Sequence, residues 1–342
     1  MHIPTLHAPF SRINNLLYKS YLPKIMNAAL EIELFELLAC GSKTSKEIAE
    51  SLKTDEPITE ALLNVLVAIG LLDLNDGQYC LTAFSQDYML KSSEANQITA
   101  IQSFSGSLGP FDNLVQALTS GPTRFNNKMW TTEQAVLNME QSAKAGMIQN
   151  VVSFITALPE FAACRKMCDL AGNIGYYSFA LLNENNNLRA HVYDLLEVCE
   201  LAERLKGKEP NLNRVNFHAY DIESGDSFGC GYDLFFCSHF LYEYGATRDL
   251  TGFLKTVNQS MKIGGVFVSN HISSNISGEN YLTLTIVELM TRLMGYPTHQ
   301  LPEKVLKEAL SEVGFGDFTV RQPSEKTAFP TLLLSAVKLK EA

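Results

Sequence analysis

The hydrophobic period of this chain changes near residue 158, and that change limits what it can fold into. Up to about residue 155 apolar residues recur at helical spacing. Ile25, Ala28, Ala29, Ile32, Phe35 and Leu38 follow the i, i+3, i+4, i+7 pattern of one buried helix face, which Gly41 ends. Thr44-Ser45-Lys46-Glu47 opens a second helix with the spacing of a capping box, and Pro57 starts a third. Two short apolar runs then flank Asn75-Asp76-Gly77, a strong hairpin signal. Three helices and a hairpin in this order form a winged helix. The third helix has no Arg or Lys between Ile58 and Gly70, whereas a groove-reading helix needs cationic or amide side chains. A packing or dimerisation module is therefore expected rather than a DNA reader.

Beyond Pro159, short apolar runs alternate with helical stretches. Strands are expected at 166–171, 189–194, 216–221, 232–239 and 265–271, with a closing pair near Asp317 and Thr331. This alternation implies a mostly parallel, doubly wound α/β sheet that binds ligands at the carboxyl ends of its strands. The 342 residues are more than one core usually holds, and three segments are expected. They are a winged-helix-like unit over 1–105, connecting helices over 106–157 that contribute to a substrate pocket, and the α/β domain over 158–342.

A formal charge of −10 disfavours a nucleic-acid partner, which needs a concentrated basic face. No run reaches the ~18–20 apolar residues of a membrane helix. The amino terminus lacks the basic flank and apolar core of a secretory leader. The seven cysteines form no CxxC pair, so reduced thiols in a cytoplasmic protein, without a metal, are the expectation. A small molecule is the expected partner.

Polar residues end the expected strands where a ligand would lie. The first runs into Asp169-Leu-Ala-Gly172-Asn173-Ile-Gly175, whose glycines let backbone N–H groups approach a ligand. The second ends in Asp194, about where nucleotide-binding folds place a carboxylate for ribose hydroxyls, and the third in Asp221, suited to an adenine amino group. The G-x-G-x-x-G spacing of a dinucleotide site is absent.

Together these segments resemble the S-adenosylmethionine (SAM)-dependent O-methyltransferases of plant phenylpropanoid, melatonin and bacterial antibiotic pathways. DLAGNIG matches that family's D-x-G-G-G-x-G, YDLLEV its D-L-P-x-V, NFHAYDIE its F-x-x-G-D-M-F, and MKIGGVFVSNH its L-x-P-G-G-x-V. The resemblance implies a winged-helix dimerisation domain, a homodimer and a class I Rossmann-like domain. It also implies SAM as methyl donor, S-adenosylhomocysteine as product and a role in secondary metabolism. It puts Asp169, Gly172 and Gly175 in the SAM loop, Asp194 and Leu195 at the ribose, and Asp221 and Ile222 at adenine. Ser238 takes the place of an adenine-contacting basic residue.

The family's catalytic His-Asp-Trp falls on Tyr242, Glu243 and Tyr244, and the acids that orient its histidine fall on Asn270 and Gln300. Tyrosine, with an ordinary pKa near ~10, is a poor neutral-pH base beside histidine near ~6.5. Tyr242, His239, His271 or His299 then serves another proton-transfer task, or an acceptor that needs no base is methylated by positioning alone. Tyr242, His239 and Asn270 are the candidate catalytic residues. Trp130, Met290, Met294 and His299 are the candidate substrate contacts. O-methyl transfer is the family expectation, with C-, N- or S-transfer open. A SAM-binding homologue that hydroxylates, decarboxylates or cyclises, and a ligand-sensing winged-helix regulator, are the alternatives.

Overall fold

The computed structural model describes residues 7–106, 109–122, 133–221, 228–246, 248–273, 280–323 and 329–342. The chain divides into two compact units, Met1–Gly109 and Pro110–Ala342.

The first unit holds α1 (Ser11–Lys19), α2 (Leu22–Glu31), α3 (Leu34–Ala39), α4 (Ser45–Leu52), α5 (Glu56–Ala68), the hairpin β1 (Leu72–Asn75) and β2 (Gln78–Leu81), α6 (Ala83–Tyr88) and α7 (Ile98–Ser105). The single helix expected from Ile25 to Leu38 is two. Glu33 takes a left-handed φ of 59° between α2 and α3, and its carboxylate pairs with Lys91 Nζ at 2.6 Å. Neither glycine nor proline marks that break. The capping box on α4 is complete: Thr44 N donates to Glu47 Oε2 at 2.8 Å and Glu47 N to Thr44 Oγ1 at 3.3 Å. Asp76 and Gly77 adopt φ of 50° and 78°, as a two-residue type I′ turn requires. Leu34, Phe35, Ile48, Leu63 and Leu66 are buried at the centre. By contrast, α1 buries none of its residues.

The second unit continues with α8 (Leu114–Ser120), α9 (Glu133–Lys144), α10 (Met147–Thr156), β3 (Lys166–Leu170), α11 (Tyr176–Glu184), β4 (Arg189–Asp194), α12 (Leu196–Leu205), β5 (Val215–Ala219), β6 (Tyr232–Ser238), α13 (Tyr242–Ala246), α14 (Leu250–Ser260), β7 (Met261–His271), α15 (Asn280–Leu293), α16 (Glu303–Glu312), β8 (Phe315–Arg321) and β9 (Leu332–Lys338). Seven strands form one sheet in the order β5-β4-β3-β6-β7-β9-β8, with β3 to β7 parallel and β9 antiparallel to both neighbours. Strand residues alternate between two cores. On one face Val192, Phe236 and Val268 pack with Val151 and Phe154 of α10 and Leu181 of α11. On the other, Phe235 and Phe267 pack with Leu254 and Val257 of α14 and Leu306 and Leu310 of α16. Each such side chain contributes about 1.5–3 kcal/mol on burial.

The strand order reverses at β3. Chain leaving β3 turns toward β4, while β6 lies on the opposite side, which opens a crevice outside the carboxyl ends of these strands. The resulting architecture is the mixed, doubly wound sheet of a class I methyltransferase, preceded by a mainly helical unit.

Candidate active site

The loop after β3 is shaped by backbone conformations that favour glycine. Ala171 and Asn173 have φ of 53° and 54°, and Gly175, which precedes α11, has φ of 78°. A Cβ on Gly172 would lie 2.6 Å from Asp169 Cγ and 2.8 Å from Val192 Cγ1, so that position admits only glycine. Ala171 and Asn173 replace the first and third glycines of the resembled motif's G-G-G run, and the Asn173 side chain is used. Its Oδ1 accepts from Ile174 N at 2.7 Å, and its Nδ2 reaches Met139 Sδ on α9 at 3.2 Å.

Two carboxyl groups stand beside this loop. Asp169, 1% exposed, accepts from Ser178 Oγ at 2.7 Å. Burial pushes its pKa up to about 7, with the Ser178 hydrogen bond opposing and Asp194 adding to the rise. Asp194 accepts from Leu195 N through Oδ1 and from Asn173 N through Oδ2, both at 2.8 Å, and burial raises it too. Each Asp194 oxygen keeps a second lone pair. Among the described residues no Lys, Arg or His pairs with either carboxyl. Asp221 lies exposed two residues past β5, while Ile222 and Trp130 fall outside the described residues.

At the ends of β6 and β7, Asn270 Nδ2 donates to Ser238 Oγ at 2.9 Å. Asn270 Oδ1 and the Tyr177 hydroxyl are buried without a well-formed partner, although Ser238 and Asn270 stand near enough to that hydroxyl to polarise it. His239 follows with a left-handed φ of 51°, and its N–H donates to Asn270 O at 2.8 Å. Its Nδ1 lies 3.4 Å from His299 Nε2, and Tyr242 stacks on the His299 ring at 4.3 Å and 15°. The structure thus brings His239, His299 and Tyr242 together. Burial, then His299 and His271, push His239 down to about 3.

His271 is buried with Nδ1 at 2.8 Å from Ser269 Oγ, and burial pushes it down to about 4. Tyr244 packs in the core at 4.3 Å from the Phe253 ring, and borders a groove of about 350 Å³ against α16. Met290 and Met294 are half-buried, one turn apart on α15 and just beyond it.

Three contributors escaped the sequence reading. Thr291 Oγ1 lies 3.4 Å from His299 Nδ1. Glu288 accepts from His299 N at 2.9 Å and from Thr298 Oγ1 at 3.1 Å, and so holds the loop that carries His299. Tyr296 meets the Tyr242 ring edge-on at 6.3 Å. Helical periodicity gives no signal of such roles for Glu288 and Thr291 on α15 or for Tyr296 in the turn after it.

The family model described as O-methyltransferase dimerisation domain matches residues 14–91. An uncharacterized protein of Methanocaldococcus jannaschii is 28% identical over 72% of this chain, and the match spans 65% of that relative's length. A bacteriochlorophyllide d C-20 methyltransferase of Chlorobaculum tepidum is 23% identical over 96% of this chain and 97% of its own. Among solved structures, human N-acetylserotonin methyltransferase in complex with SAM superposes with a TM-score of 0.74 at 19% identity, covering 99% of this chain and 100% of that one. The SAM-dependent methyltransferase SibL gives 0.76 at 21% identity, covering 97% and 100%. The chain therefore carries an O-methyltransferase dimerisation domain and, over nearly its whole length, the fold of the SAM-dependent methyltransferases.

Proposed function

We propose that this protein is a SAM-dependent methyltransferase acting on a small metabolite. The observation that carries this reading is the pair of carboxyl groups, buried Asp169 and half-buried Asp194, at neighbouring strand ends with no cation beside them among the described residues. Carboxyl groups whose ionised form burial disfavours, with no cation beside them, suit a ligand that brings its own positive charge, as a sulfonium and an ammonium do. When bound, SAM supplies an electrophilic methyl group. The chain's residues then have separate tasks. Asp194 accepts from ribose hydroxyls, Asp169 sits by the cationic end, and the backbone of Gly172 and Gly175 allows close approach. Asp221 faces the adenine side.

The acceptor stands near His239, Tyr242 and His299. With tyrosine at position 242, the chain lacks the base of the resembled family. The relatives' names include C-, N,N- and O-methyltransferases, which is consistent with acceptors of several kinds on this fold. The exposed apolar α1 fits a homodimer formed through the first unit. Among the described residues no helix is long and apolar enough to cross a membrane.

Calorimetry with SAM and S-adenosylhomocysteine tests the reading. Binding of both is expected, and a chain that binds neither is not a methyltransferase.

A further inference from the structure

One hydroxyl group determines the tautomers of the two histidines outside β6. Thr291 Oγ1 donates to the Val287 carbonyl at 2.8 Å, one turn back along α15. It can therefore offer His299 Nδ1, 3.4 Å away, only a lone pair. Nδ1 of His299 carries the hydrogen in consequence, and its Nε2 is an acceptor. That Nε2 faces His239 Nδ1 at 3.4 Å, so Nδ1 of His239 carries the hydrogen in turn. His239 Nε2 keeps a bare lone pair, and none of the described residues donates to it. Two further features hold this ring in place: the left-handed backbone of His239 and its N–H bond to Asn270 O. A strained backbone at the carboxyl end of a central strand is a recurrent mark of a working residue.

We infer that Thr291, acting through His299, is a positioning residue that presents His239 Nε2 to take the proton given up by an O–H or N–H methyl acceptor. The inference rests on the methyl-transfer reading above. In the step, the acceptor's lone pair bonds the methyl carbon while the electron pair of the sulfur–methyl bond stays on sulfur. The acceptor's hydrogen passes as a proton to His239 Nε2, and the pair that held it returns to the acceptor's heteroatom. The hydrogen on His239 Nδ1 stays on that nitrogen, donated to His299 Nε2. His271 from β7, Glu288 from α15 and the Tyr242 ring from α13 are the other titratable groups around the pair. With its pKa pushed down to about 3, His239 stays neutral and is a weak base. It suits an acceptor that attacks as the neutral molecule and becomes acidic only as the new bond forms.

The test is nuclear magnetic resonance on the full chain labelled with ¹⁵N-histidine, bound to S-adenosylhomocysteine at neutral pH. His239 and His299 signals are assigned with H239Q and H299Q. Both rings are expected as neutral Nδ1–H tautomers. Thr291→Val should abolish the single-tautomer signal of both, and Thr291→Ser should restore it. A wild-type His239 that carries its hydrogen on Nε2 overturns the inference, as does a tautomer unmoved by Thr291→Val. If Thr291→Val does not fold, the wild-type tautomer decides alone. The same spectra without nucleoside keep the two readings apart. Lack of S-adenosylhomocysteine binding refutes the methyltransferase, whereas the wrong tautomer refutes only the relay.

Discussion

The backbone N–H of Asn173 donates to Asp194 Oδ2 at 2.8 Å, which ties the loop after β3 to the carboxylate that ends β4. This bond makes loop and carboxylate one unit. Asp194→Ala removes the proposed ribose partner and also frees the N–H groups of Asn173 and Leu195. Loss of a buried partner costs about 1–3 kcal/mol, or roughly 5- to 150-fold in affinity. Calorimetry with S-adenosylhomocysteine should show a loss of at least that size. Unchanged binding would reduce Asp194 to a local cap.

Ala171 carries a left-handed φ of 53° that costs an L-residue with Cβ roughly 1–2 kcal/mol. Ala171→Gly relieves this but adds freedom to the unfolded chain, an opposing effect of about 0.4–1 kcal/mol. The net expectation is a gain between zero and about 1.6 kcal/mol in chemical denaturation. Asn173→Gly should gain less, because its side chain bonds Ile174 N and Met139 Sδ in a backbone conformation that asparagine tolerates. A loss of stability in Ala171→Gly would show that the methyl group packs usefully.

The second unit was the more legible part of the sequence, for a physical reason. Buried parallel strands are apolar runs with polar ends, so the runs ending at Asp194 and Ser238 mark both the strands and the crevice. The hairpin at Asp76-Gly77 and the capping box at Thr44 were legible because each depends on local chemistry. The break at Glu33 was hidden, because its left-handed residue has no glycine to announce it. Thr291 and Glu288 were hidden for another reason: their roles depend on which residues the 294–300 turn folds back upon, and helical periodicity carries no such information.

In the proposed site, Asp169 should make SAM binding depend on pH. Its folded pKa, about 7, is above the ordinary 3.8, so its contribution to stability is full below about pH 4 and is lost as pH rises through 7. Without added ligand the chain should therefore lose stability from this group between about pH 4 and 7. A cationic ligand has the opposite preference, because it favours ionised Asp169 and expels a proton. SAM affinity should rise with pH toward 7, by no more than about tenfold per unit. Calorimetry below pH 7 in buffers of different ionisation enthalpy should register proton release. Asp169→Asn should abolish that release, and its persistence would point to another group.

Helix α1 exposes Ile13, Leu16 and Leu17 by 54%, 58% and 55%, within the segment matched by the dimerisation model apart from Ile13. An apolar helix face of this kind calls for a cover, and a second copy supplies one of equal character. Burying each leucine is worth about 1.5–3 kcal/mol. Leu16→Glu combined with Leu17→Glu should turn a dimer into a monomer in sedimentation velocity. A wild-type chain that sediments as a monomer at micromolar concentration would refute the assignment of this face.

His191 and His218 form a second histidine pair, on β4 and β5, with Nδ1 and Nε2 2.8 Å apart and the rings 11° from coplanar. One ring donates to the other, and the lowered pKa of both rings favours the neutral pair in the folded chain. Burial, then Lys166 and His218, push His191 down to about 4, and burial followed by Lys166 lowers His218 as well. Because both folded values lie below the ordinary ~6.5, the unfolded chain takes up protons first as pH falls. Stability from the pair is present above pH 6.5 and is lost as pH falls from there through about 4. Both rings are half-buried, so screening holds the loss to less than about 1 kcal/mol. Replacing both with glutamine should flatten the urea midpoint between pH 7 and 5 relative to wild type. An equal pH slope in the two proteins would assign the acid sensitivity to other groups, and the His191–His218 contact would then count only as packing against Tyr193, whose ring stacks on His218 at 4.6 Å.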